Sequence, residues 1–152
     1  MSHFEGDKQF GQNPKDLAAK LSDARFLVGC FPDVESVTAT SASEATCVLR
    51  PGLSFARGTL QVTMRIAQPV SDEAIHIHLH SKGIGSTSEV EAFLIVTSAG
   101  QGSQVHWTAD IKQLGGLLKA VPQGLIQAAA RKVIDDAWSA VEKKLHQASG
   151  TE

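Results

Sequence analysis

The sequence has few cysteines, no long hydrophobic run and no excess of basic residues, and each absence argues against a class of protein. Its 152 residues include two cysteines, Cys30 and Cys47, both in apolar surroundings. We therefore expect buried, reduced thiols and not a disulfide scaffold. No apolar run approaches the ~20 residues that a membrane-spanning helix needs, so we expect membrane contact to be peripheral at most. The net charge of −2, without a basic cluster, argues against nucleic-acid binding.

The remaining composition is typical of an ordinary globular protein. Apolar residues make up 42% of the chain and charged residues 20%. This length and composition predict a single domain over residues 1–152, with a core large enough to need no covalent cross-link. Met1 is followed by polar residues, so no signal peptide is predicted and we expect a soluble, cytoplasmic protein.

Most of the chain alternates between apolar and polar residues, which predicts β-strands. A strand is predicted over His3–Phe10. Two short helices follow, one begun by Asn13-Pro14 and running to Leu21, the other from Ala24 to Gly29. Six further strands are predicted: Val34–Thr40, Glu44–Arg50, Gly58–Ala67, Ala74–Ser81, Ser88–Thr97 and Ser103–Lys112.

The last four strands can be paired as hairpins in a single consistent register. The predicted pairs are Val62–Leu79 and Met64–Ile77 around residues 70–71, Leu79–Val90 and Ile77–Ala92 around Ile84-Gly85, and Leu94–Trp107 and Val90–Ile111 around Gly100-Gln101. This register places all these apolar side chains on one face of an antiparallel sheet. The other face is polar, except for Phe93 and Ile95, which the pattern does not explain.

A long amphipathic helix is predicted from about Gly116 to Gln147. Its apolar residues recur at spacings of three and four: Leu118, Val121, Leu125, Ile126, Ala129, Val133, Ala137, Val141 and Leu145. Pro122 lacks an N–H, so the helix should kink or begin afresh there. Strands followed by one long helix predict a two-layer α+β fold with a cavity between the layers.

Several segments, in this order along the chain, resemble the family of the carbon-monoxide dehydrogenase G protein, a branch of the START-like, polyketide-cyclase-like SRPBCC superfamily. They are LSDARFLVGCFP (Leu21–Pro32), FARGT (Phe55–Thr59), SKGIGS (Ser81–Ser86), WTAD (Trp107–Asp110), LGGLL (Leu114–Leu118) and LIQAAAR (Leu125–Arg131). The resemblance implies a helix-grip fold, in which a curved antiparallel sheet wraps around a long C-terminal helix and two short helices follow the first strand. Asp33 departs from the pattern, because a glycine usually follows the proline there.

The resemblance also implies a function. It implies an accessory role to a molybdenum-containing carbon-monoxide dehydrogenase or a related hydroxylase. We expect non-enzymatic binding of an apolar, lipid-like or quinone-like small molecule between sheet and helix. The alternatives are a polyketide cyclase or dehydratase and a protein-interaction subunit with a filled core.

The candidate ligand-binding residues are those expected near one end of the cavity: Phe26, Phe31, Leu53, Phe55, Arg57, Ile84, Trp107, Leu118, Val121 and Leu125. Leu53, Phe55 and Ile84 fall in predicted turns, where apolar side chains are less expected. Arg57 is either a contact for a polar head group or an exposed guanidinium beside Gly58.

Catalytic and metal-binding patterns are weak. His76, His78 and His80 alternate along one strand, and an adjacent pair could chelate a metal. Because this face is solvated, cross-strand pairing with Glu89 and Glu91 is favoured over a metal site. No catalytic set, cofactor or metal is expected.

Overall fold

The chain folds into a curved antiparallel sheet gripped by a long C-terminal helix. The computed structural model describes residues 2–50, 58–67 and 74–150, with side chains through residue 146. The strands are β1 (His3–Phe10), β2 (Val34–Thr40), β3 (Glu44–Leu49), β4 (Leu60–Ile66), β5 (Ile75–Gly83), β6 (Ser86–Ala99) and β7 (Gly102–Gly116). The helices are α1 (Pro14–Leu21), α2 (Ala24–Val28) and α3 (Gln123–Gly150), and a 3₁₀ turn spans Leu117–Ala120. Within the described ranges the strands form one sheet in the order β1-β7-β6-β5-β4-β3-β2, which confirms the predicted fold class.

Both short helices begin where capping residues predict. The Asn13 side chain accepts a hydrogen bond from the backbone N–H of Asp16 at 2.9 Å, and Pro14 occupies the first position of α1. The Asp23 carboxylate accepts from the N–H of Arg25 at 2.9 Å and caps α2. The hydrogen bond from the Arg25 guanidinium lowers the pKa of this carboxyl, so the cap stays ionised at neutral pH.

The predicted hairpin registers are correct for two of the three strand pairs. Leu79 faces Val90 and Ile77 faces Ala92 between β5 and β6, and Leu94 faces Trp107 between β6 and β7. The β4–β5 register is wrong by two residues, since Met64 faces Leu79. The turn predicted at residues 70–71 lies outside the described residues. A shift of two keeps every side chain on its predicted face, because strands have a period of two.

The predicted start of the C-terminal helix is also wrong. Strand β7 continues to Gly116 because its pairing with β6 continues as far as Ser86. Helix α3 then begins only at Gln123, where the carbonyl of Pro122 accepts from the N–H groups of Leu125 and Ile126 at 3.0 and 3.2 Å. Pro122 therefore marks the fresh start that its missing N–H predicted.

The apolar core lies between the inner face of the sheet and α3. The core residues of the central strands include Val62, Met64, Ile75, Ile77, Leu94, Val105 and Trp107. From α3, Ile126, Trp138, Val141 and Leu145 are buried against them. Leu60, Leu79, Val90 and Ala109, which were predicted to be buried, are partly exposed although they pack against this core.

The segment between β7 and α3 should be less protected from hydrogen exchange than α3 itself. In its 3₁₀ turn, Lys119 and Ala120 are exposed, and no member of the turn is buried. We expect faster amide exchange over residues 117–122 than over 126–141, measured by mass spectrometry with peptide resolution. Equal protection of the two segments would contradict a separate, locally opening turn.

Candidate ligand-binding cavity

A cavity of about 360 Å³ separates the sheet from α3. This volume lies within the range of small-molecule sites. The sheet side is lined mainly by inward-facing residues of β4, β5 and β6: Val62, Met64, Ile77, Leu79, Val90, Ala92 and Leu94. The helix side is lined by Ile126, Ala129, Ala130, Val133, Ile134, Ala137, Trp138 and Val141. Leu27, Cys30 and Phe31 contribute from α2 and the segment after it.

The lining is almost entirely apolar. Among the described residues of the cavity wall there is no aspartate, glutamate, histidine, lysine or arginine. The hydroxyls come mainly from one end, where Ser81 and Ser88 hydrogen-bond to each other and Ser86 donates to the carbonyl of Ile84 at 3.3 Å. A charged group placed there would lose its hydration without a partner charge, so this geometry favours a neutral occupant.

Cys30 is the titratable group in the described part of the wall. Burial raises the pKa of its thiol, with Lys144 partly opposing the shift. Its Sγ hydrogen-bonds to the carbonyl of Phe26 at 3.4 Å. Cys47 is buried behind the wall, and burial raises the pKa of this thiol as well. Neither cysteine is disulfide-bonded, and both thiols stay protonated at neutral pH, which makes them poor nucleophiles.

The two tryptophans of the chain both line the cavity. Their ring centroids are 6.3 Å apart, with Trp107 on β7 and Trp138 on α3. The Trp107 ring lies over Gly6 of β1, where a Cβ atom would come within 2.9 Å of Cζ2. The indole N–H of Trp107 is buried and has no hydrogen-bond partner among the described residues.

Four of the sequence-predicted site residues are in the cavity wall: Phe31, Ile84, Trp107 and Leu118. Phe26 and Val121 pack against the core but do not line the cavity, and Leu125 is 44% exposed on α3. The Phe26 ring instead faces the ammonium groups of Lys20 and Lys144, each 5.8 Å from its centroid. Leu53, Phe55 and Arg57 lie outside the described residues.

Sequence reasoning missed Ala130, Ile134 and Trp138. These residues follow Ile126 at steps of four, so one stripe along α3 contains them all. The predicted stripe was centred one step away because it was extended back to Gly116, across the break at Pro122. Starting the helix at Gln123 brings the periodicity into phase with the observed wall.

The β5–β6 hairpin places an apolar side chain in a strained turn at one end of the cavity. Ile84 and Gly85 have φ angles of 58° and 67°, as a two-residue type I′ turn requires. A β-branched residue in this region is an outlier that costs about 1–3 kcal/mol, whereas asparagine is tolerated there. The Ile84 side chain lines the cavity, so its strain accompanies an apolar contact that asparagine could not make.

A second, more open groove lies beside the far end of α3. It has a volume of about 840 Å³ and is lined partly by exposed polar side chains, including Glu142, Lys143 and His146. Such a lining offers little to recognise an apolar molecule. The enclosed apolar cavity is therefore the stronger candidate for a binding site.

The family comparison agrees with this architecture. The family model of CoxG, the G protein of carbon monoxide dehydrogenase, matches residues 6–146. The chain belongs to the CoxG family. The match includes every described strand from β2 to β7 and almost all of α3. No curated protein matches the sequence significantly.

Solved structures similar to this CoxG-family chain share its fold at low sequence identity. A conserved protein from Geobacillus kaustophilus aligns with a TM-score of 0.82 at 16% identity, covering 96% of each chain. A START superfamily protein from Mycobacterium smegmatis aligns with a TM-score of 0.72 at 10% identity, covering 95% of this chain and 97% of that one. A STAR-related lipid transfer protein fragment from Xanthomonas axonopodis aligns with a TM-score of 0.60 at 14% identity, covering 95% and 85%.

The helices of the described residues were also compared with the requirements of a membrane span. None of them combines the length and the apolar character needed to cross a bilayer.

Replacing Ile84 with asparagine should separate stability from binding. Asn-Gly is the favoured type I′ pair, so we expect Ile84→Asn to unfold within about 1 kcal/mol of the wild type or to be more stable. The lost apolar contact should weaken binding of a neutral apolar dye such as Nile red. Urea denaturation and dye titration measure the two effects, and a large loss of stability with unchanged dye affinity would contradict this account of the turn.

Proposed function

We propose that this CoxG-family protein binds one neutral, apolar, lipid-like or quinone-like molecule between its sheet and α3, without transforming it chemically. The observation that carries the proposal is the wall of the 360 Å³ cavity, whose described residues are apolar and uncharged apart from a few hydroxyls. Burial of apolar surface at about 25 cal/mol per Å² supplies the affinity in such a site.

The shape and polarity of the wall narrow the class of ligand. From Ser88 to Leu94 the wall follows β6 for six residues, or about 20 Å at the rise of a strand. This suits a long apolar body with a small hydroxyl or carbonyl group near Ser81 and Ser88. A carbonyl oxygen beside Trp107 would also give its buried indole N–H a partner. The polarity of the wall is thus compatible with a quinone-like or alcohol-like head group and unfavourable to a carboxylate or phosphate.

We further propose an accessory role beside a molybdenum-containing carbon-monoxide dehydrogenase or a related hydroxylase. Membership of the CoxG family supports this assignment. A carrier of apolar molecules would complement such an enzyme by supplying or removing a poorly soluble co-reactant. Two buried, unbonded thiols suit a reducing cytoplasm, with membrane contact limited to the surface.

The cyclase or dehydratase alternative requires an acid or base at the ligand. The described wall offers only the Cys30 thiol, whose pKa is raised, and no carboxylate, imidazole or amine. The filled-core alternative conflicts with the volume of the cavity. Binding without chemistry is therefore the function that the geometry supports best.

Native mass spectrometry of the freshly purified protein tests the proposal. A ligand held in an enclosed apolar site should survive purification and add a discrete mass at one molecule per chain. Extraction with organic solvent should release a neutral apolar compound identifiable by its fragmentation. A chain that carries no ligand and accepts none from a mixture of neutral lipids and quinones would contradict the proposal.

Leu117 and Leu118 form a matched pair for mutation. Leu118 lines the cavity, whereas the adjacent Leu117 is 64% exposed and does not. Leu118→Asp should abolish ligand retention, because desolvating a carboxylate there costs several kcal/mol. Leu117→Asp should bind as the wild type does.

The stability of the two variants provides the control. Leu118 is only partly buried and lies outside the regular elements of the sheet, so both variants should remain folded by circular dichroism. Ile77→Asp, at a position 5% exposed in the middle of the sheet, should unfold the protein. Equal unfolding of Leu118→Asp and Ile77→Asp would show that Leu118 belongs to an ordinary core.

A further inference from the structure

The outer face of the sheet, opposite the cavity, brings two histidines and a glutamate together. His76 and His78 lie on β5 with their side chains on the same face, and Glu91 of β6 is the direct cross-strand partner of His78. Nε2 of His76 is 3.5 Å from Oε1 of Glu91, and Nδ1 of His78 is 3.7 Å from the same oxygen. One donor atom of each residue lies within 4.8 Å of the other two.

These distances fit a transition-metal ion better than a hydrogen-bonded pair. With ligand bonds of 2.0–2.1 Å, tetrahedral zinc holds its donor atoms about 3.3 Å apart. The two nitrogen–oxygen distances exceed this value by only a few tenths of an ångström. Small rotations of exposed side chains would therefore complete the three bonds.

The environment of His76 provides a second observation. Its ring stacks on Phe93 with 4.2 Å between the centroids and 8° between the planes, which restricts the imidazole to one orientation. Nε2 is nevertheless buried and has no hydrogen-bond partner among the described residues. A buried polar atom without a partner is unfavourable, and a metal ion would satisfy it. The stacking also explains why Phe93 lies on the polar face, whereas nothing in the structure explains Ile95.

Neighbouring charges leave this group available. Lys112 lies 3.7 Å from Oε2 of Glu91, so it pairs with the oxygen that does not face the histidines. On the strands to either side, Arg65 is bonded to Glu44, and Asp110 accepts a hydrogen bond from His3 at 2.6 Å. His80 continues the alternation but pairs with Glu89 and does not approach the group.

We propose that His76, His78 and Glu91 bind a divalent transition-metal ion of the zinc type on the outer face of the sheet. Two imidazoles and one carboxylate are a donor set that zinc accepts, and three protein ligands leave a fourth position open to solvent. Sequence reasoning favoured cross-strand pairing because it could not show that both rings converge on one oxygen of Glu91. The site lies on the opposite face from the cavity, so it does not depend on the proposed ligand.

Zinc titration of the tag-free, chelator-treated protein by calorimetry tests the site. A polyhistidine tag must be removed because it would itself bind zinc. We expect one equivalent of zinc to bind, and His76→Ala, His78→Ala and Glu91→Gln each to weaken binding by at least about tenfold. His80→Ala is the matched control, since it removes an imidazole from the same strand and face, and it should change the affinity by less than about twofold.

X-ray absorption at the zinc edge provides a second readout. It should show two imidazole ligands and one carboxylate oxygen at about 2.0 Å. Equal weakening by His76→Ala and His80→Ala would mean diffuse binding to surface histidines and would overturn the proposal. Absence of one-equivalent binding by the wild type would overturn it as well. Glu91→Gln keeps the size of the side chain, so its effect cannot be ascribed to lost packing.

Discussion

The packing of α3 against the sheet through Trp138, Val141 and Leu145 is the contact on which the rest of the structure depends. These residues are 3–8% exposed, and at the other end of the helix Ile126 is 8% exposed. Between the two contacts the helix presents Ala129, Ala130 and Ala137 to the sheet. Large side chains hold the layers apart and small ones fail to fill the gap. A cavity therefore follows from the distribution of residue sizes along one helix face.

The alternation of the central strands supplies the second constraint. With a period of two, β5 places Ile77 and Leu79 in the cavity wall and His76, His78 and His80 on the outer face. The same register therefore separates a neutral, apolar inner surface from an outer surface of imidazoles and carboxylates. Ligand binding inside and metal binding outside are compatible because no described side chain participates in both.

Local signals in the sequence predicted the parts of the fold that depend on local chemistry. Asn13 and Asp23 cap their helices, and Ile84-Gly85 forms the turn that sets the β5–β6 register. The start of α3 was predicted wrongly because the end of β7 depends on a partner far away in sequence, at Ser86. The same error of phase hid the place of Trp138 in the cavity wall. The convergence of His76 and His78 on a single oxygen of Glu91 depends on side-chain orientation, which a strand pattern does not contain.

Intrinsic fluorescence offers the most direct test of the central claim, because both tryptophans of the chain line the cavity. A dibrominated long-chain alcohol is neutral and apolar, and its bromine atoms quench indole emission on contact. The account predicts saturable quenching that ends at one equivalent of the alcohol and is reversed by its unbrominated parent. Quenching that rises without saturation, or none at all, would contradict a ligand site between the sheet and the helix.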